Sequence, residues 1–197
     1  MKLPKPRKII AEKYIAGLSL FKSRRSPIKL SANESALGPS PKAVKSYNSI
    51  GKGFVRYPDS DGTFFRKVLA KKFRLKRDRI ILGSGSDQIF ELICKLFMNK
   101  GDEVVVPEYS FIIYRIYSRM FGAKVRYAKE ENFKPSVESI LEQVNRKTKI
   151  VFLANPNNPT GTYLDKFEIL KLRKKLRSDI LLVVDDCLLY TSDAADE

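Results

Sequence analysis

The 197-residue chain predicts an α/β fold, a three-layer α/β/α arrangement with a mostly parallel sheet. Three observations lead there. Short apolar runs of strand length alternate with amphipathic stretches of helical period along most of the chain. One run, Val104-Val105-Val106, is apolar at every residue, as in a strand covered on both faces. Turns rich in glycine, serine, asparagine and proline fall where strands pass into helices, and ligands of parallel sheets sit at those ends.

The elements follow in order. Residues 1–30 are basic and proline-containing with weak periodicity, and read as an arm in which Ile28-Lys29-Leu30 is a short strand candidate. Ser40 before Pro41 supplies an N-cap and a first-turn proline, so a helix is expected over 41–50, ended by Gly51 and Gly53. After Asp61-Gly62 a second helix carries Phe65, Leu69 and Phe73 four apart on one face. Arg79-Ile80-Ile81-Leu82 reads as a strand and Gly83-Ser84-Gly85 as the tight turn after it. The helix that follows has a wide apolar stripe of Ile89, Leu92, Ile93, Leu96 and Phe97, with Gly101 as its stop. The alternation continues with a strand at 104–106, a helix over 110–121 ended by Gly122, and a strand over 124–128. A helix over 136–145, a strand over 150–153, a helix over 164–177 and a strand over 180–184 complete it.

Composition narrows the class. With 43% apolar and 30% charged residues the chain has the balance of a soluble globular protein. No apolar run approaches the roughly 20 residues that span a bilayer, and the start, MKLPKPRKIIAEKY, lacks the apolar stretch of a secretory signal. Cys94 and Cys187 make no disulfide framework, so a reducing cytoplasm is expected and no membrane partner. The absence of histidine removes imidazole acid–base chemistry and histidine metal ligands from these residues, and no metal is expected. The net charge of +16 could serve a nucleic-acid partner. However, the basic residues are spread along the chain at helical surface spacings such as Arg66, Lys67, Lys71 and Lys72, which suits a solvated face and anionic metabolites.

Three strings carry chemistry. Gly83-Ser84-Gly85-Ser86-Asp87-Gln88 joins a strand to a helix, whose start offers N–H groups and the positive dipole end to an anion. Taken alone such a turn is more often only the cap of an ordinary helix. Asn155-Pro156-Asn157-Asn158-Pro159-Thr160-Gly161 follows an apolar strand, and its prolines and glycine specify one rigid turn able to aim an amide at a ligand. Asp185 closes another apolar strand, where its carboxylate either caps the next segment or pairs with a cationic ring nitrogen.

In this order the three strings resemble the cofactor site of fold type I aminotransferases. Leu30-Ser31-Ala32-Asn33-Glu34-Ser35-Ala36-Leu37-Gly38-Pro39-Ser40-Pro41 and Arg56-Tyr57-Pro58-Asp59 are similar to signatures of histidinol-phosphate aminotransferases. The resemblance runs from about residue 28 to Asp186. It implies the large domain of such an enzyme, pyridoxal 5'-phosphate as cofactor, and amino transfer between glutamate and imidazole-acetol phosphate in histidine biosynthesis by a homodimer. It also implies roles. Ser86 and Asp87, through their N–H groups, hold the cofactor phosphate. Tyr109 stacks on the pyridine ring. Asn158 donates to the phenolic oxygen, and Asp185 pairs with the pyridinium nitrogen. Tyr57 reaches the phosphate of the neighbouring subunit, and Asn33 and Glu34 lie toward substrate.

Some features depart from the family. None of the lysines stands on the later Ser-x-x-Lys-type motif that bears the family's Schiff-base lysine, so no catalytic residue is assigned within these 197 residues. The string CLLYTSDAADE after Asp186 has no periodicity and resembles the translation of a transposon-type sequencing adapter. Residues 1–45 are therefore read as arm and small-domain segment, 46–186 as an incomplete cofactor-binding large domain, and 187–197 as foreign to the fold. Another amino-acid or aromatic aminotransferase, or a threonine-phosphate decarboxylase, fits the same strings. From another class, a basic nucleic-acid-binding module is the rival; against it, Phe64, Phe65, Phe90 and Phe97 sit at core spacings rather than beside basic residues.

Overall fold

A computed structural model describes residues 12, 14, 32–35 and 37–189. The strand candidate at 28–30, most of the arm, and the tail from residue 190 lie outside the described residues. The chain divides into two units, residues 15–82 and residues 83–197 with 1–14.

In the first unit α1 spans Pro41–Ile50, with Pro41 in its first turn, and passes into a 3-10 turn at Gly51–Val55. Ser40 stands at the N-cap position without a side-chain cap bond, so the proline rather than the hydroxyl marks this start. Helix α2 spans Thr63–Phe73, and Asp59 holds its entry by accepting from the Asp61 and Thr63 amides at 3.1 and 2.6 Å. The expected face of α2 is not covered among the described residues: Phe65 and Phe73 are both more than half exposed. The strand expected at 79–82 is not formed. Arg77–Arg79 is a 3-10 turn, and Ile81 is 74% exposed. A strand needs a neighbour for its ladder bonds, and no described strand pairs with this segment.

The second unit is the α/β body. Strands β1 (Glu103–Pro107), β2 (Lys124–Ala128), β3 (Thr148–Ala154) and β4 (Leu181–Asp185) form one parallel sheet in the order β2-β1-β3-β4. Val104 stands beside Val125 on one side and Ile150 on the other, and Val151 beside Leu182. Period-two alternation then sends Val104, Val106, Ile150 and Phe152 into one core and Val105, Val151 and Leu153 into the other. Helices α3 (Gly85–Phe97) and α4 (Ile112–Met120) cover the first face. Helices α5 (Val137–Gln143) and α6 (Lys166–Lys175) cover the second, giving the three layers. Each fully buried valine or leucine here contributes roughly 1.5–3 kcal/mol relative to exposure.

Local signals fix the helix starts on the second face. Ser136 accepts from the Ser139 amide at 3.1 Å. Asp165 and Glu168 form a reciprocal capping box, each side chain accepting from the other's amide at 2.8 Å. The stripe expected on α3 is corrected: Phe90 and Cys94 are its buried residues, while Leu96 and Phe97 are exposed. The helix turns its Phe90–Cys94 edge to the sheet, and it ends at Phe97, ahead of Gly101.

Candidate active site

The chain leaves β1 for β2 on one side, then crosses back to β3 on the other. That reversal opens a crevice at the carboxyl ends of the strands, because the flanking connections diverge there. A cleft of about 170 Å³ lies at this end, lined by Ser86, Asp87, Phe111, Ala154, Pro156, Asn158, Asp185, Cys187 and Leu188. Four connections deliver its walls: the start of α3, the loop after β1, the turn after β3, and the end of β4.

The turn after β3 is built as one rigid piece. The Asn155 side chain clamps Leu164, its Oδ1 accepting from the Leu164 amide at 2.7 Å and its Nδ2 donating to the Leu164 carbonyl at 3.0 Å. The Asn155 amide donates to the Asp185 carbonyl at 2.9 Å, carrying the β3–β4 ladder to its end. Asn157 is buried and donates from Nδ2 to the Thr160 hydroxyl at 2.9 Å, while the Gly161 amide donates to the Asn157 carbonyl at 2.8 Å. Gly161 has φ of 73°, in the left-handed region that a side chain would strain. Both polar groups of the Asn155 side chain are thus spent on the loop, whereas Asn157 shares its Nδ2 between Thr160 and, at 3.5 Å, Glu130 and keeps its Oδ1 buried without a partner. Asn158 instead lines the cleft, and its side-chain amide has no hydrogen bond to the described protein.

At the end of β4 the half-buried Asp185 carboxylate is held from two sides. The Tyr114 hydroxyl donates to Oδ2 at 2.5 Å and the Cys187 amide to Oδ1 at 3.0 Å. Burial first, and the charge of Asp185 second, push the Asp87 carboxyl above its ordinary range. The same two causes, in the same order, raise Asp186. No lysine or arginine is among the lining residues, so this end of the cleft carries negative charge that a cationic group would offset. The start of α3, which carries Asp87 in its first turn, has no side-chain cap bond at its N-cap, and its N–H groups and the helix dipole favour an anion there. The backbone N–H groups of the α3 start, the Asp185 carboxylate and the Asn158 amide fit a flat aromatic ring that is anionic at one end and cationic at the other. Among the described residues, no cluster of three or more acidic or cysteine side chains could hold a metal ion.

Of the expected site residues, the structure brings Ser86, Asp87, Asn158 and Asp185 together. Tyr109 is not among the lining residues; it is 44% exposed, with its ring centroid 5.4 Å from that of Phe133. The aromatic wall of the cleft is Phe111, two residues on. Asn33, Glu34 and Tyr57 belong to the unit of residues 15–82, where all three are exposed. Sequence reasoning missed Phe111 and Tyr114. Their signal was available as two aromatics three apart across the start of the helix that follows β1.

Comparison with known proteins agrees with this geometry. The chain is 51% identical over 186 residues to histidinol-phosphate aminotransferase of Pelagibacter ubique, a match covering 94% of this chain and 52% of that relative. It is 41% identical over 182 residues to histidinol-phosphate aminotransferase of Paramagnetospirillum magneticum, covering 92% and 50%. The chain thus spans about half the length of the curated relatives it matches. Among solved structures, histidinol-phosphate aminotransferase from Sinorhizobium meliloti, in complex with pyridoxal-5'-phosphate, superposes with a TM-score of 0.76 at 24% identity. That match covers 79% of this chain and 42% of the other and speaks for the fold. The profile of the family described as aminotransferase class I and II matches residues 25–187, and the chain belongs to that family.

Proposed function

We propose that this chain is the cofactor-binding part of a pyridoxal-phosphate-dependent aminotransferase that moves an amino group between glutamate and imidazole-acetol phosphate, in histidine biosynthesis. The observation that carries this reading is the cleft itself, which gathers Ser86, Asp87, Phe111, Asn158 and Asp185 from four connections. Pyridoxal phosphate, when bound, supplies an electron sink for the charge left on a substrate carbon as its proton departs. The α3 start, with the amides and hydroxyl of Ser86 and the amide of Asp87, holds the phosphate. Asn158 donates its amide to the phenolic oxygen, and Asp185 keeps a proton on the ring nitrogen. Tyr109 stacks on the pyridine ring, as the family resemblance implies, and Phe111, two residues on, supplies an aromatic wall of the cleft. Tyr57, which is exposed, reaches the phosphate site of a second subunit in a homodimer, and the enzyme works in the cytoplasm. Asn33 and Glu34 serve the substrate side. The names of the relatives favour histidinol phosphate over other amino-acid substrates.

The test begins with the gene read past the Asp186 codon and expressed over its whole reading frame. Incubation with histidinol phosphate and 2-oxoglutarate should then yield glutamate, stop when pyridoxal phosphate is stripped, and resume when it is returned. Glutamate from another amino acid alone would move the substrate assignment to a related aminotransferase. No amino transfer from any donor, with the cofactor in excess, would sink the reading.

A further inference from the structure

The Asp185 carboxylate does not meet the cleft unsupported, and its partner has no assigned role in the site. Tyr114 lies on α4 with no exposed surface. Its ring is stacked on Phe152 of β3 with centroids 4.9 Å apart and planes 2° from parallel. Phe90 of α3 meets it edge-on at 5.0 Å and Phe111 edge-on at 5.9 Å. Three aromatic rings from three different segments therefore fix both torsions of this side chain, and only its hydroxyl is left to reach a polar group. That hydroxyl donates to Asp185 Oδ2 at 2.5 Å, across 71 residues of sequence.

Burial first, then the hydrogen bond and charge of Asp185, raise the Tyr114 phenol well above its ordinary range. The phenol therefore keeps its proton and donates. A hydrogen bond given to the charged form of a carboxylate lowers the carboxylate's affinity for a proton. Where that carboxylate shares a proton with a ring nitrogen, the donor shifts the proton toward the nitrogen. With the Cys187 amide on Oδ1, the Tyr114 hydroxyl on Oδ2 fixes the carboxylate from the α4 side without help from a ligand.

We infer that Tyr114 is a positioning residue for Asp185: its phenol, locked among Phe90, Phe111 and Phe152, orients the carboxylate and keeps it a weak base so that a bound pyridine nitrogen retains its proton. The inference rests on the proposed cofactor reading, and Phe111 serves it twice, as cleft wall and as one side of the box around Tyr114.

Tyr114→Phe removes one oxygen and leaves the ring stack. In the protein expressed over its whole reading frame, we expect the dissociation constant for pyridoxal phosphate to rise roughly tenfold, as for loss of one charge-assisted hydrogen bond. With pyridoxal phosphate labelled with ¹⁵N in the ring, the bound nitrogen shift should move toward the unprotonated value. On an Asp185→Ala background the same substitution should change affinity less than about twofold, since the acceptor is already gone. Incorporating 3-fluorotyrosine at position 114 keeps the ring and strengthens the donor, and should move the shift the opposite way. An equal loss of affinity on both backgrounds, or a nitrogen shift unchanged by both replacements, overturns the role of Tyr114 while leaving the cofactor reading intact. Parent protein that binds no pyridoxal phosphate overturns both.

Discussion

Asn155→Ala isolates the clamp that holds the turn after β3, and its effect can be worked from four atoms. The substitution removes Oδ1 from the Leu164 amide, at 2.7 Å, and Nδ2 from the Leu164 carbonyl, at 3.0 Å. Leu164 is 1% exposed, so its two backbone groups cannot turn to bulk water. Each buried group left without its partner costs about 1–3 kcal/mol. One water entering the space left by the side chain would recover part of that, so roughly 2–4 kcal/mol is expected for the pair. With a urea slope of roughly 2 kcal/mol/M, the unfolding midpoint should fall by about 1–2 M. Asn155→Asp is the control. It keeps an acceptor for the Leu164 amide but sets a second oxygen against the Leu164 carbonyl, so it should not rescue stability at neutral pH. A midpoint for Asn155→Ala within about 0.2 M of the parent would refute the clamp, and with it the account of why Asn158 stays aimed at the cleft.

Two further outcomes follow from buried polar groups. Glu130 accepts from the Tyr109 amide at 3.1 Å, but its Oε2 is buried without a partner, and burial raises its carboxyl above the ordinary 4.5. A raised folded-state value means that this group favours folding fully below about 4.5 and that the gain is lost as pH rises through the raised value. Glu130→Gln should therefore melt higher than the parent at pH 7, with the gap closing as pH falls toward 4.5; a gap independent of pH would refute it. The Cys94 thiol is fully buried and pushed up to about 11, chiefly by burial. A thiol reagent at pH 8 should leave Cys94 untouched in the native protein and label it after denaturation, and native labelling would refute this.

The sheet was legible because its strands obey one rule at a time. Val104-Val105-Val106 is apolar throughout, since both faces of β1 are covered. Turn chemistry was as plain, and the Asn155–Gly161 string closes on itself as its prolines, amides and glycine require. Neighbours were less legible. Arg79-Ile80-Ile81-Leu82 has strand composition, but composition does not say whether a partner strand lies beside it. Facing was lost on α3 too, where several apolar positions compete and only the docked sheet selects Phe90 and Cys94. The same limit applies at the cleft. Tyr109 and Phe111 are equally aromatic, and the path of the backbone after Pro107 decides which ring lines the wall.

The place of β4 in the sheet gives the site a fragility of its own. Among the described residues Asp185 ends a strand that pairs with β3, and its residues are half-buried or exposed where those of β3 are almost all buried. Stability within a domain is uneven, and a strand with less covered surface opens at lower free energy than its more deeply buried neighbours. If β4 frays, the interior sheet of β1 and β3 can stay folded while the carboxylate leaves the Tyr114 hydroxyl. The walls of the cleft would then survive without its charge. Partial opening of this kind would read in solution as a protein of normal secondary structure whose binding capacity fades with mild warming, ahead of any global transition.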